Sequence, residues 1–226
     1  MKTHQTRRFA LLLVPMAGMF LSTGSHAAWT SVSGIPSSVT LKANEKGCGN
    51  GLCKPIGISK STVGHRLSYD VKFNSNFDWS RGGKIPGLAG DKTLAGCNTG
   101  DGWSYRVMWR QDGRITPYIY HKDRPTNCGD YFGYANSGSM YFPKGQWTTI
   151  RLVVKMNTGN NNDGEATLYV NGIQYFRKTT IKFATTSAER NVSKILAHCY
   201  RGGSDSSWSS PIDGTVYFRN VKVNPM

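Results

Sequence analysis

Trp103-Ser104-Tyr105-Arg106-Val107-Met108-Trp109-Arg110-Gln111-Asp112-Gly113-Arg114-Ile115-Thr116-Pro117-Tyr118-Ile119-Tyr120 is the stretch that decides the fold. Its first eight residues alternate strictly. Trp103, Tyr105, Val107 and Trp109 fall on one side, and Ser104, Arg106, Met108 and Arg110 on the other. Period-2 alternation of this kind marks a strand with one buried face. A second strand, 115–121, follows after Gln111-Asp112-Gly113. A two-residue loop at Asp112-Gly113 would pair Arg110 with Ile115 and bring a base to the apolar side. A three-residue loop, with Gly113 in the left-handed conformation, pairs Arg110 with Arg114 and keeps the faces matched. That register sets Arg106 opposite Tyr118 and Ser104 opposite Tyr120. Strand 115–121 is then aromatic or apolar on both faces, which suits a groove floor presenting phenols and a guanidinium.

Outward from this hairpin the chain continues to read as strands. Arg66–Phe73 alternates in the same way, and segments 148–156, 166–171, 173–178, 194–200 and 215–223 are β-branched or aromatic between turn residues. Asn171-Gly172 is a two-residue hairpin signal. No long 3.6-residue period and no internal repeat occurs. Many half-buried strands in about 200 residues predict an all-β fold, a jelly-roll sandwich of two antiparallel sheets. Strands 66–73, 103–110 and 115–121 are expected to share the groove.

The ends and the charge speak to compartment and partner. Lys2, Arg7 and Arg8 precede an apolar run from Phe9 to Leu21, and Ser25-His26-Ala27-Ala28 closes it with small residues. This is the pattern of a secretory signal, with residues 1–27 removed and 28–226 forming one domain. The whole chain carries 28 bases against 13 acids, a net +15. Removing the leader takes three bases and no acid, so the mature excess is +12. Such an excess points to an anionic partner. Export to the periplasm or the medium argues against nucleic acid, and no later segment is long and apolar enough for stable membrane insertion. A soluble monomer is expected.

Export also permits disulfides. Cys48 and Cys53 bracket Gly49-Asn50-Gly51, and Cys97 and Cys128 flank the hairpin; Cys199 is left over. Four cysteines admit three pairings, and spacing alone does not choose among them. No Cys-x-x-Cys occurs and the five histidines are scattered, so no zinc site is expected. The Asn/Asp-rich stretch 157–164 reads as a surface loop in which calcium is the one metal to consider. No cofactor is expected.

Several motifs resemble one family. Gly82-Gly83-Lys84-Ile85-Pro86-Gly87-Leu88 is similar to the GGKLPGL-type motif of polysaccharide lyase family 14 and its glucuronan-lyase relatives. Residues 103–110 and Tyr118-Ile119-Tyr120 look like that family's next strands. Lys155-Met156-Asn157-Thr158, Asp163-Gly164 and Val170-Asn171-Gly172 are similar to its later segments, and Gly202-Gly203-Ser204-Asp205 with Trp208 resembles its GGSDxxW segment. The matches run in order from about residue 65 to 223. The resemblance implies cleavage of a polyuronate, such as alginate or glucuronan, by β-elimination, with Lys84, Arg106, Tyr118 and Tyr120 as the catalytic set and Ser104 beside Arg106. The loops bearing Cys97 and Cys128, and Cys199-Tyr200-Arg201 before the glycine pair, depart from the family's pattern.

Elimination removes the proton at C5 of a uronate and expels the oxygen at C4. The ionised carboxylate makes that C–H a poor acid, so a cation must neutralise it and stabilise the enediolate. The planar fork of Arg106 matches a carboxylate, with Lys84 sharing the role. Tyr120, its acidity raised by these cations, is expected to be the base and also the acid to the leaving oxygen, with Tyr118 positioning sugar, or the two tyrosines exchange these roles. Glycine and proline around Lys84 predict an exposed loop. Asp205 and Trp208 are candidate sugar contacts, and His121 falls on the opposite face. A noncatalytic acidic-glycan binder is the competing reading. A glycosidase would need two carboxylates on the groove, where only Asp70 is expected.

Overall fold

The computed structural model describes residues 28–132 and 139–226; the leader read in residues 1–27 lies outside them. Twelve strands form two antiparallel sheets. The seven-stranded sheet contains β1 (Thr30–Ser31), β2 (Ser38–Leu41), β4 (Gly64–Phe73), β8 (Thr148–Lys155), β9 (Gly164–Val170), β10 (Ile173–Ile181) and β12 (Gly214–Pro225). Its order is β1-β12-β4-β8-β9-β10, with β2 also paired to β12. The five-stranded sheet runs β3 (Leu52–Ser61), β11 (Val192–Arg201), β5 (Gly82–Ala89), β6 (Ser104–Arg110), β7 (Ile115–Tyr120).

The period-2 pattern places the core between the sheets. Leu67, Tyr69, Val71 and Phe73 of β4 meet Tyr105, Val107 and Trp109 of β6 and Ile115 and Ile119 of β7, all buried. Phe73 anchors an aromatic cluster, with ring centroids 4.8 Å from Phe77, 4.8 Å from Trp79 and 5.4 Å from Trp109. The β6–β7 hairpin adopts the three-residue connection. Arg110 N–H donates to Arg114 O, Gly113 has φ +80°, and Arg106 pairs with Tyr118 and Ser104 with Tyr120. Asn171-Gly172 turns β9 into β10 with positive φ at both residues.

Two sequence expectations are corrected. The segment around Lys84 is not an exposed loop but the central strand β5, hydrogen-bonded to β11 and β6. Its glycines are there because neighbours come too close: a Cβ on Gly83 would lie 2.1 Å from the Trp109 ring, and one on Gly87 would lie 2.0 Å from Tyr105 O. The ladder shifts register between Ile85 and Leu88. This bulge lets Pro86 sit in a central strand without breaking a ladder bond. The Tyr69 hydroxyl donates to Pro86 O across the core at 2.9 Å. Secondly, β4 lies in the seven-stranded sheet, so Asp70 is on the far side of the sandwich from β6 and β7. There it accepts from Thr149, Arg219 and Asn220.

Cys48 is bonded to Cys53 and Cys97 to Cys128, while Cys199 is a buried free thiol whose pKa burial pushes up. In the 157–164 loop, Asn157 Oδ1 accepts from the N–H groups of Phe183 and Ala184, and Asp163 accepts from Thr158. Among the described residues no three His, Cys, Asp or Glu side chains gather as a metal site.

Candidate active site

The outer face of the five-stranded sheet carries the site. Antiparallel pairing sets Tyr200, Lys84, Met108 and Thr116 in one row across β11, β5, β6 and β7. Arg106 and Tyr118 form the next pair, and Ser104 and Tyr120 the one after. Leu94, Met108, Tyr118 and Tyr120 make a small apolar cluster, joined by Trp208.

Lys84 is a half-buried cation surrounded by rings. Its Nζ lies 5.4 Å from the centre of Tyr118, 5.5 Å from Tyr200 and 5.8 Å from Trp208. Burial, then the nearby Arg106 and Arg110, lower its pKa to about 7. Arg106 is 1% exposed, and its Nε and Nη2 make no hydrogen bond. Its guanidinium sits 5.4 Å from both the Tyr118 and Tyr120 rings. Neither cation has a carboxylate within salt-bridge reach among the described residues. Buried polar groups ordinarily find partners, so a guanidinium with two nitrogens unsatisfied and no carboxylate beside it suits an anionic ligand.

His198, to which the sequence assigned no role, reaches across β5 from β11. Its Nδ1 lies 3.3 Å from Arg106 Nη1. Burial, Arg106 and Lys84 together lower its pKa to about 3, so the ring is neutral near pH 7. Nδ1 then accepts from the guanidinium and Nε2 carries the ring proton. His198 thus holds Arg106 without adding charge. Only the parity of β11 and its adjacency to β5 would have revealed it. Tyr200, also missed, stands on the same strand, with burial raising its pKa and Arg106 offsetting part of that rise.

The two tyrosines of β7 are more covered than the alternation implies. Tyr120 is 1% exposed, and its phenol oxygen accepts the Cys97 N–H at 2.9 Å. Tyr118 is 7% exposed; its oxygen accepts the Gly129 N–H at 3.2 Å and lies 3.4 Å from that of Tyr120. Burial, then the contact with Tyr120, pushes the Tyr118 phenol well above its ordinary pKa. Ser104 does not open to the groove: its hydroxyl donates to Leu94 O at 2.6 Å beneath the covering loop. Asp205 is exposed and caps the short turn 206–208 by accepting the Ser207 N–H, while Trp208 lies within cation–π distance of Arg81, Lys84 and Arg110. His121 is structural, hydrogen-bonded to Asp130 and stacked on Phe132.

Basic and aromatic side chains gathered on one face of a jelly roll are in keeping with the class that the comparisons show, a polysaccharide lyase acting on polyuronates. The sequence profile of Polysaccharide lyase 14 matches residues 31–221, and the chain belongs to that family. Alginate lyase Aly36B is 37% identical, with 84% of this chain and 80% of that one aligned and a TM-score of 0.77. Complexes of Aly36B variants with alginate tetrasaccharide and trisaccharide superpose equally well. Alginate lyase vAL-1 from Chlorella virus (22% identity, 88% and 89% of the two chains, TM-score 0.72) shares the fold. So does endo-β-1,4-glucuronan lyase from the fungus Trichoderma reesei (11% identity, 88% and 87%, TM-score 0.54). No curated protein matches the sequence significantly.

Proposed function

We propose that this protein cleaves alginate by β-elimination, with Arg106 binding the uronate carboxylate, Lys84 taking the C5 proton and Tyr118 protonating the leaving oxygen. The observation that carries this reading is the buried Arg106 guanidinium, with no carboxylate partner among the described residues and two unsatisfied nitrogens, beside a lysine whose pKa is near 7. In the step, the C5–H bond breaks and its proton passes to the Lys84 amine. The electron pair forms the C4–C5 double bond, and the C4–O bond breaks as O4 takes a proton from the Tyr118 phenol. A base with a pKa near the working pH and an acid that holds its proton until needed are the two groups such a step requires. Arg106, fixed by His198, stabilises the charge that grows on the carboxylate. Tyr120, expected from sequence to be the base, is shielded by the Cys97 turn and suits a different task, orienting Tyr118. The greater similarity to an alginate lyase than to a glucuronan lyase supports alginate as substrate. The leader-like residues 1–27 and the two disulfides support an exported protein.

The test is ultraviolet absorbance of the unsaturated uronate on mixing with alginate, glucuronan and a neutral glucan. Absorbance should rise with alginate and stay flat with Lys84→Ala. Retention of alginate with no new absorbance would favour the noncatalytic binder instead.

A further inference from the structure

The basic excess is not confined to the groove. On the opposite face of the sandwich, pairing sets Lys222, Ser68, Arg151 and Tyr169 in one row across β12, β4, β8 and β9. The neighbouring row holds Arg66 opposite Val153, and Lys155 follows two residues further along β8. Strands stand about 4.8 Å apart, so Lys222 and Arg151 are separated by roughly 10 Å along the row. Arg66, Arg151, Lys155 and Tyr169, with Val153, Glu165 and Met226, line a shallow depression of about 340 Å³.

These cations differ from ordinary surface bases in what they touch. Arg151 lies 4.2 Å over the Tyr169 ring, Lys222 5.2 Å over Trp29, and Arg66 donates to Asn224 Oδ1. None has a carboxylate within salt-bridge distance among the described residues. Two acids lie among them, Glu165 in the depression opposite Lys155 and Asp70 near Lys222, and each already has a base of its own, Arg177 and Arg219. Stacking holds Arg151 and Lys222 without neutralising them. The result is a band across the seven-stranded sheet in which Arg66, Arg151, Lys155 and Lys222 remain in excess of acids that are each already paired, with Val153 and the Tyr169 ring offering apolar surface to a sugar.

We infer that this band is a second polyuronate-binding surface, which holds a length of the polymer while the groove cuts another. The inference rests on the reading of the protein as a polyuronate lyase, which supplies the occupant: the polymer already present at the groove is a polyanion of carboxylate-bearing rings. A chain held on the back raises the local concentration of cleavable bonds without any contact to the catalytic groups.

The experiment compares the wild type with Arg151→Ser/Lys155→Ser/Lys222→Ser, and with the charge reversal Lys155→Glu/Lys222→Glu as a second variant. Turnover of an alginate tetrasaccharide should be unchanged in both, because the groove is untouched. The Michaelis constant for long alginate at low salt should rise roughly 3- to 10-fold, the effect of losing a few screened surface contacts. Affinity electrophoresis through alginate, with Lys84→Ala added to stop cleavage, should show the same loss. Unchanged polymer affinity in both variants overturns the inference, as does an equal loss on tetrasaccharide and polymer. Failure of the lyase reading shows separately, as no unsaturated product from the wild type.

Discussion

The backbone N–H of Cys97 donates to the phenol oxygen of Tyr120 at 2.9 Å, and the residue after Cys128, Gly129, does the same for Tyr118 at 3.2 Å. The Cys97–Cys128 disulfide therefore ties together the two donors that hold the two phenols. Cys97→Ser/Cys128→Ser should lower kcat about 10-fold or more through misplaced tyrosines, since small displacements in an active site are costly. Stability should fall by roughly 2–4 kcal/mol. Steady-state kinetics and thermal melts read the two separately. Activity within twofold of wild type, despite a lowered Tm, would show that the clamp is structural only.

In the proposed reaction Lys84 sets the pH dependence. With its pKa near 7 in the folded protein, log kcat/KM should rise with unit slope below pH 7 and level off above it. Its effect on stability has the same direction. Between about 7 and 10.4 the unfolded chain holds a proton that the folded protein does not, so stability rises with pH across that window. The penalty is complete below 7. Lys84→Met should accordingly raise Tm more at pH 6 than at pH 10, while abolishing turnover. A rise in Tm that is the same at both pH values would contradict the burial of a charged amine.

Arg106→Ala should raise KM and lower kcat together, because the carboxylate is gripped in the ground state and more tightly in the enediolate. Arg106→Lys should restore little of the loss, since an ammonium cannot present a planar fork or reach His198 in the same way. Full activity in Arg106→Lys would mean that only net charge matters here.

Gly87→Ala should be damaging out of proportion to one methyl group. The new Cβ would meet Tyr105 O at 2.0 Å and Arg106 Cα at 2.6 Å, both backbone atoms of β6. Relief requires β5 and β6 to part, and with them Lys84 and Arg106. Overpacking of this kind costs about 1–3 kcal/mol or more. Chemical denaturation gives the stability term, and the same sample assayed in the native state gives the catalytic one; an unperturbed protein would show that the strands yield easily.

Alternation was enough to read the β6–β7 hairpin, because strict apolar–polar alternation along β6 and one turn residue, Gly113, leave a single register, although both faces of these strands prove to be buried. Strand β5 was not readable in the same way. Gly82, Gly83, Pro86 and Gly87 look like a loop, and their reason for being glycine or proline lies in other strands: the Trp109 ring, the Tyr105 carbonyl and a bulge. His198 was illegible for a related reason. It enters the groove through the pairing of β11 with β5, a contact between distant parts of the chain. The position of β4 followed the same rule: its pattern announces a strand, and nothing in that pattern says which sheet it joins. Ser104 was placed on the correct face, but the loop that covers it is an event of tertiary structure.

The hydroxyl of Tyr69 crossing the sandwich to Pro86 makes the floor of the groove answerable to the opposite sheet. A carbonyl displaced by a bulge has left its own ladder, and here it finds its partner on a strand of the opposite sheet. Were that partner lost, the strand bearing Lys84 would hold an unsatisfied buried oxygen, a burden of about 1–3 kcal/mol. Natural variation at the groove and in the middle of the core is then not independent. A lineage that reshapes the floor to admit a different uronate must renegotiate the tyrosine behind it, and a change behind it will be felt at the cut.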